Sequence, residues 1–173
     1  KIVFTGDLGN KPSVLLMPPE EIKDANFLII DSLYGDKTHE GEAERKLRLE
    51  RVIEDTLNRK GVLMIPAFSL ERTQELLFEI NNLIEQGRVP KVPAFIDSPL
   101  AIKALDVYKK YGSRYFNKEV LTQMKIDDIF SFKGLTLTLR TEESKKINDV
   151  PPPKIVIAGS GMSEGGRILF HEE

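Results

Sequence analysis

Short apolar runs alternate with stretches of helical periodicity along this chain, which is the pattern of βα units and a parallel sheet. Each apolar run has the length of a single strand. We predict strands at Ile2 to Phe4, Phe27 to Ile30, Val62 to Ile65, Ala94 to Ile96, Ile129 to Phe132, Leu135 to Leu139 and Ile155 to Ala158. The pattern therefore predicts an α/β fold with a mostly parallel sheet and flanking helices.

Apolar side chains at helical spacing predict the helices that lie between these strands. We predict helices from Glu40 to Lys60, from Leu70 to Gln86, from Ser98 to Tyr111, after Asn117 and after Thr141. Gly61 and Gly87 are suited to stop the first two helices. Ser69, Ser98 and Thr141 are suited to cap the starts of helices.

Composition narrows the class of protein. Of the 173 residues, 40% are hydrophobic and 30% are charged, a balance typical of a soluble globular domain. The apolar runs are far shorter than the ~18 residues of a membrane span, so we expect no membrane partner. Cysteine is absent, which excludes disulfides and favours an intracellular, cytoplasmic location. The net charge is −2, so any nucleic-acid surface would have to be a local patch.

The two ends of the sequence favour a piece of a longer protein. The chain opens directly in the strand-like run that starts at Lys1, and it stops within a helix-like run that begins at Ile168. Natural termini are usually looser than this. A compact small protein with short tails is the alternative interpretation.

Polar clusters follow several of the predicted strands directly, where ligands gather in open parallel sheets. The clusters are Thr5 to Asp7, Asp31-Ser32, Ser69 to Arg72, Asp97-Ser98 and Gly159 to Arg167. One such cluster alone indicates only the start of a helix, because polar residues commonly begin helices. Several clusters at one edge of a sheet favour a functional site.

Asp7 and Asp31 are carboxylates with candidate chemistry. A carboxylate at the end of a strand can reach a metal ion, support a metal ligand or take part in proton transfer. The structural alternative is that Asp7 stabilises its own turn. Asp36 and His39 are better explained as caps of the helix that begins near Glu40.

Two features of the sequence could bind phosphate. Arg72 lies in the first turn of a helix, where the positive end of the dipole makes an anionic partner necessary, either a carboxylate or a phosphate. The glycine-rich turn from Gly159 to Arg167 follows a buried strand, and its backbone amides and the Arg167 guanidinium could hold phosphate oxygens. The alternative is a tight turn without a ligand.

The sequence does not supply a complete zinc site. His39 and His171 are the only histidines, whereas a catalytic zinc ion usually takes about three protein ligands, mostly histidines. Carboxylates alone could hold Mg²⁺, but no tight acidic cluster suits it. A self-sufficient metal centre is therefore not expected.

Several stretches resemble, in family order, the motifs of RNA-processing nucleases that combine a metallo-β-lactamase fold with an inserted β-CASP domain. They are Phe4 to Gly9, Asp31 to Asp36 with His39, Ile65 to Leu76, Ile96 to Ala101, Glu142 to Lys145 and Ser160 to Arg167. The first is similar to the fourth metal motif of these enzymes, and the second to the first β-CASP motif. The family includes the nuclease subunit of pre-mRNA 3′-end processing.

The resemblance implies a role for each candidate residue. Two Zn²⁺ ions would lie between the two domains, where an RNA phosphodiester bond is hydrolysed. Asp7 would be a metal ligand and a catalytic residue, and Asp31 the acidic β-CASP residue beside the site. The residues that face RNA would be Arg72, Ser160, Gly161, Gly165, Gly166 and Arg167. The expected partners are single-stranded RNA, the rest of the metallo-β-lactamase domain and, in the parent protein, a second copy.

The resemblance also implies a division of the chain. Residues 1–30 would be the C-terminal strands of the metallo-β-lactamase part, and residues 31–173 the β-CASP domain. The family's His-x-His-x-Asp-His motif has no counterpart here, so we expect this chain alone to be inactive. Asp31, Leu33 and Gly159 are mild departures from the family pattern. The alternatives are a non-catalytic RNA-binding or scaffold module and a small-molecule phosphate-binding α/β domain.

Overall fold

The computed structural model describes residues 1–9, 13–38, 41–161 and 163–172, and the predicted role of His39 lies outside these ranges. The elements are β1 (Ile2–Phe4), β2 (Phe27–Ile29), α1 (Glu42–Asn58), β3 (Val62–Ala67), α2 (Arg72–Glu85), β4 (Ala94–Asp97), α3 (Pro99–Tyr115), α4 (Lys118–Met124), β5 (Leu135–Leu137), α5 (Thr141–Asp149), β6 (Lys154–Gly159) and α6 (Leu169–Glu172). None of these helices has the length and apolar character that crossing a membrane requires.

The strands form two separate sheets, and both are parallel. β3, β6, β4 and β5 make a four-stranded sheet in that order, while β1 and β2 make a two-stranded sheet. The edge strand β3 contains Pro66, which lacks a backbone N–H and is tolerated where one side of the strand has no neighbour. The prediction of an α/β fold with a mostly parallel sheet is confirmed.

Helices cover both faces of the four-stranded sheet, so its central strands β4 and β6 are buried throughout most of their length. Ile96 and Ile157 contribute to the larger core, which α1, α2 and α3 complete. Phe95 and Val156, one position along each strand, belong to a smaller core with Ile147 of α5. The alternation of side chains along each strand therefore separates two cores.

The two-stranded sheet is far more exposed than the four-stranded sheet. Phe4 and Phe27 are 72% and 68% exposed, and Leu28 and Ile29 are each more than half exposed. The three-residue strands align Phe4 with Ile29, and the Thr5 amide continues the ladder to the Ile29 carbonyl at 3.0 Å.

The start of α2 differs from the prediction. The helix begins at Arg72 and not at Leu70, because Glu71 has a φ of 63°, which is incompatible with helical geometry. Ser69 is therefore not a helix cap, and its hydroxyl oxygen lies 3.1 Å from Ser98 Oγ instead. The prediction that Ser98 caps the next helix is confirmed, since its Oγ accepts a hydrogen bond from the third residue beyond it at 3.3 Å.

Two further predictions are wrong. Ile129 to Phe132 is a turn and not a strand, because Asp128 Oδ1 accepts a hydrogen bond from the Phe130 amide at 3.2 Å and bends the chain. Thr141 is the first residue of α5 and not its cap. Instead, Glu143 Oε2 accepts hydrogen bonds from the backbone N–H groups of Leu139 and Arg140, at 2.9 and 3.0 Å, and so satisfies the start of the helix.

Candidate functional site

The carboxyl ends of the four parallel strands meet at one edge of the larger sheet. Asp97 is the last residue of β4 and is paired in register with Ala158 of β6. Beyond β6 the chain enters the glycine-rich turn, and the Ser160 amide donates to the Ala67 carbonyl of β3 at 3.2 Å. This topology brings the predicted phosphate-binding turn beside Asp97.

Asp97 is the centre of a buried hydrogen-bond network at this edge. Its carboxylate is 0% exposed and contacts four side chains. Oδ1 accepts from Thr138 Oγ1 at 2.7 Å and from Arg167 Nη1 at 2.6 Å. Oδ2 accepts from Ser144 Oγ at 2.5 Å and lies 2.9 Å from His171 Nε2. A charge buried this deeply requires such partners, because an unpaired one is very costly.

Two opposing effects set the pKa of Asp97. Burial raises the pKa, because it disfavours the charged carboxylate. The hydrogen bonds from Ser144, His171, Arg167 and Thr138 lower it and outweigh burial, so that the pKa lies below its ordinary value. Asp97 is therefore a stable anion at neutral pH that holds two loops and two helices, α5 and α6, onto the sheet.

The glycine-rich turn depends on glycine at two positions. Gly166 has a φ of 84°, and a Cβ atom there would lie 1.9 Å from the Gly159 carbonyl oxygen. A Cβ atom on Gly161 would lie 2.7 Å from the Phe68 ring. Gly165 meets nothing within 4 Å. The chain therefore folds back on itself at Gly166 and passes close to the residues that follow β3.

Arg167 already has two partners within the protein. Besides its bond to Asp97, it donates from Nη2 to the Leu139 carbonyl at 3.3 Å, and its side chain is 24% exposed. A guanidinium has five N–H donors, so RNA could use only those that these two bonds leave. The observed role of Arg167 is to tie the turn to the sheet, and its contact with RNA stays a prediction.

Asp7 and Asp31 lie at the corresponding edge of the small sheet. Both are exposed. The Asp31 amide donates to Thr5 Oγ1 at 3.4 Å, which joins the ends of the two strands. Asp31 Oδ1 accepts from the Leu33 amide at 3.1 Å and so stabilises its own turn. Asp7 makes no hydrogen bond or ion pair with another described residue, so its carboxylate is available to a ligand.

A cleft of about 230 Å³ connects the Asp7 loop with the start of α2. Its lining includes Leu8 and Gly9 together with Arg45, Arg72 and Glu75. Arg72 is thus brought next to the Asp7 loop. It forms no hydrogen bond or ion pair with the described residues of the glycine-rich turn.

Glu75 is an anionic neighbour of Arg72 in this cleft. Burial raises its pKa first, and the like charge of Glu71 raises it further, whereas Arg72 and Arg45 lower it. The pKa of Glu75 therefore lies above its ordinary value. Arg72 thus has a carboxylate close enough for their charges to interact, as its place at a helix start favours, and the cleft has mixed charge.

The residues present fit one position in a metal ligand set. Asp7 is a hard oxygen ligand at an exposed strand end, suited to Zn²⁺ as one of several ligands. Within the residues that the structure describes, no group of three or more His, Cys, Asp or Glu side chains could hold a metal ion. The absence of a self-sufficient centre stays a prediction.

The sequence did not identify Thr138, Ser144 and His171 as members of one cluster. Asp97 was visible as a polar residue at a strand end, and Ser144 lies within one of the family-like stretches. Their partnership joins residues 41 to 74 positions apart. Only the order of strands in the sheet brings them together, so no local signal could have shown it.

Comparison with known proteins identifies the family. Residues 73–173 match the model of the Beta-Casp domain, which is more than half of the chain. The start of this match at residue 73 does not test the predicted boundary at residue 31.

Curated relatives match almost the whole chain. Ribonuclease TTHA0252 of Thermus thermophilus is 36% identical over 98% of this chain and 39% of its own length. An RNase J-like protein of Methanocaldococcus jannaschii is 32% identical, with the same two coverages. Cleavage and polyadenylation specificity factor subunit 3 of Dictyostelium discoideum is 33% identical over 98% of this chain and 22% of its own length. The chain thus spans about two fifths or less of these relatives, and it belongs to the Beta-Casp domain family.

Proposed function

We propose that this chain is the β-CASP part of a zinc-dependent ribonuclease that hydrolyses RNA phosphodiester bonds. The observation that carries the proposal is the cleft that the two residues directly after Asp7 line together with Arg72. A metal-ligand carboxylate beside a cleft that a guanidinium lines suits a phosphodiester, because the carboxylate would serve the reacting group and the guanidinium its charge. The matched relatives named as ribonucleases support the same reaction.

Asp7 would hold zinc with its carboxylate. Zinc, when bound, supplies Lewis-acid stabilisation and lowers the pKa of water at the site. Asp31, at the end of the neighbouring strand, would orient a ligand or accept a proton. Arg72 and the glycine-rich turn (Ser160, Gly161, Gly165, Gly166 and Arg167) would hold the RNA backbone through guanidinium and amide donors.

The remaining zinc ligands would come from a metallo-β-lactamase domain outside this sequence. The exposed two-stranded sheet supports such a partner, because Phe4 and Phe27 present large apolar surfaces that sheets normally bury. Residues 1–30 would then complete that domain, and residues 31–173 would form the β-CASP lid. A second copy of the parent and a cytoplasmic location are further parts of this proposal.

The alternative function is a non-catalytic module that binds RNA or supports an RNA-processing complex. The absence of a three-ligand group among the described residues favours it for this chain by itself. An intact metal centre in the parent separates the two functions, because a scaffold does not need one.

Replacement of Asp7 by Ala in the full-length parent tests the proposal. Loss of a residue that only supports a metal ligand costs about 10- to 100-fold in affinity or activity, so we expect loss of a ligand itself to lower cleavage of single-stranded RNA by at least ~100-fold. Zinc content should fall as well. Asp106→Ala is the matched control, since Asp106 is exposed on α3 and far along the chain from every candidate residue.

Normal zinc content and normal cleavage by the Asp7→Ala variant would reject the assignment. The present chain, incubated alone with end-labelled RNA and Zn²⁺, should produce no metal-dependent cleavage. Cleavage by the chain alone would mean that it assembles a metal centre by itself.

A further inference from the structure

His171 has no role in the proposed chemistry, yet hydrogen-bond acceptors hold its ring on both sides. Nε2 lies 2.9 Å from Asp97 Oδ2, and Nδ1 lies 2.7 Å from Asn148 Oδ1. The side chain is only 3% exposed, which leaves little room for water to replace either partner. The state of the ring is therefore set by these two oxygens.

The orientation of the Asn148 amide follows from its second contact. Nδ2 donates to the Phe170 carbonyl at 2.9 Å. Turning the amide over would place Oδ1 against that carbonyl, one acceptor facing another. The amide oxygen of Asn148 must therefore face His171, as its distance indicates.

Two acceptors require two donors. A neutral imidazole carries one N–H, so one of its nitrogens would face Asp97 or Asn148 with a lone pair against an oxygen. Such a mismatch is costly in a buried site. An imidazolium carries two N–H groups and satisfies both oxygens. We propose that His171 is held as an imidazolium between Asp97 and Asn148, and that in this form it is a positioning residue for the glycine-rich turn.

The charges around the ring are compatible with this state. Asp97, at the end of β4, is the carboxylate in contact with the ring, and Arg167 from the turn shares it. α5 contributes the neutral amide of Asn148. On α6 itself, Glu172 follows His171 and adds a second negative charge nearby. One buried anion thus holds two cations, and each bond to it is charge-assisted.

The contacts of His171 hold the far end of the glycine-rich turn. The turn starts at Ser160, whose amide is bound to β3, and it ends at Arg167, which is bound to Asp97. α6 follows directly and is fixed by His171 and by the bond from Asn148 to the Phe170 carbonyl. Loss of the second ring proton would leave an unmatched contact at this point. We therefore expect α6 and the turn to loosen together.

The state of the ring is measured directly by nitrogen-15 NMR of the labelled chain, from about pH 5 to above pH 8. At neutral pH we expect both ring nitrogens of His171 to carry a slowly exchanging proton and to show imidazolium shifts. A neutral His171 ring under these conditions overturns the inference, whatever the protein does with RNA.

Two variants test the positioning role. In His171→Gln the imidazolium is absent, so amide hydrogen exchange in the described residues of the glycine-rich turn should be faster by about tenfold. After correction for the intrinsic effect of pH on exchange, it should show no step where His171 titrates in the unaltered chain. Asn148→Asp places a carboxylate beside Nδ1 but also removes the donor to the Phe170 carbonyl, so exchange in the turn should be faster at every pH, while the pH at which the turn loosens further should rise. A purely structural histidine predicts no such upward shift. Equal pH dependence of exchange in all three proteins overturns the positioning role.

The consequence for RNA rests on the proposed function and is measured separately. In the full-length parent, affinity for single-stranded RNA should weaken by about tenfold as His171 loses its proton, and this step should be missing in His171→Gln. If the unaltered parent binds no RNA at any pH, the proposed function fails, while the ring and exchange measurements still decide the role of His171.

Discussion

Asp97 and Asp7 both stand where a parallel strand ends, and their surroundings are opposite. Asp97 is fully buried and receives hydrogen bonds from four side chains. Asp7 is exposed and has no partner among the described residues. The difference shows that a carboxylate at a strand end can either hold a fold together or remain available to a ligand. What covers the strand decides between the two.

The ends of β4 and β1 are covered to different extents because the two sheets differ in size. β4 has a neighbouring strand on each side and helices on both faces, so its end is closed by β5, α5 and α6. β1 has one neighbour, and the short sheet it forms leaves Phe4 and Phe27 largely exposed. The exposed carboxylate, for which a function is proposed, therefore lies on the smaller sheet, and the structural one lies on the larger.

The replacement Asp97→Asn should have the largest effect on stability. An amide can accept on only one side and places a donor against the hydroxyl, guanidinium or imidazole groups on the other. Breaking a buried ion pair by removing one partner costs about 3–5 kcal/mol. We expect a loss of that size in the free energy of unfolding, measured by urea denaturation of this chain. Asp7→Asn should stay within about 0.5 kcal/mol of the unaltered chain.

Acid provides a second measure of the same contrast. The pKa of Asp97 is lowered in the folded protein, so its ionised form contributes stability that is full above the unfolded pKa of about 3.9. That contribution is lost as the pH falls through the folded value. The Asp97→Asn variant should therefore lose less stability on acidification than the unaltered chain. Equal acid sensitivity, or equal stability of the Asp97 and Asp7 variants, would contradict the comparison.

The replacement Gly166→Ala should have an intermediate effect and sharpen the comparison at the turn. Its Cβ would meet the Gly159 carbonyl oxygen, and the φ of 84° is unfavourable for alanine. Backbone strain of this kind costs about 1–3 kcal/mol. Gly165→Ala is the matched control, because its Cβ has no neighbour within 4 Å. Thermal unfolding of both variants gives the measurement, and similar losses in the two would mean that the turn does not require its observed shape.

Much of the fold could be predicted because its signals are local. Alternating apolar runs and helical periodicity predicted the parallel sheet, and a serine before a proline predicted the cap at Ser98. The errors occurred where a single residue overrides its surroundings. Glu71 takes a positive φ and delays the start of α2, and Asp128 turns the chain within an apolar run. Neither effect changes the periodicity from which elements are predicted.

The candidate site could be predicted only in part. Asp7, Asp31 and the glycine-rich turn can be proposed as candidates from the sequence because each lies at the end of a strand and resembles a family motif, and their roles stay predictions. The partner of Arg167 was not found, because Asp97 lies 70 positions away and reaches it only through the order of strands. A sequence shows that a charged residue such as Arg167 needs a partner, but only the tertiary structure shows which residue that partner is.

The smallest expected effects on stability are those of Asp31→Asn and Asp31→Ala. Together these two variants distinguish the charge of Asp31 from its role in stabilising its own turn. Asn at this position keeps an oxygen that can accept from the Leu33 amide, and Ala removes it. Because the residue is exposed, we expect both variants to remain within about 0.5 kcal/mol of the unaltered chain in urea denaturation. Cleavage of RNA by the full-length parent should fall in both, since both lack the carboxylate. If Asp31→Asn retained full cleavage while Asp31→Ala lost it, the turn would be the contribution of Asp31, and the small sheet would share the structural role of the large one.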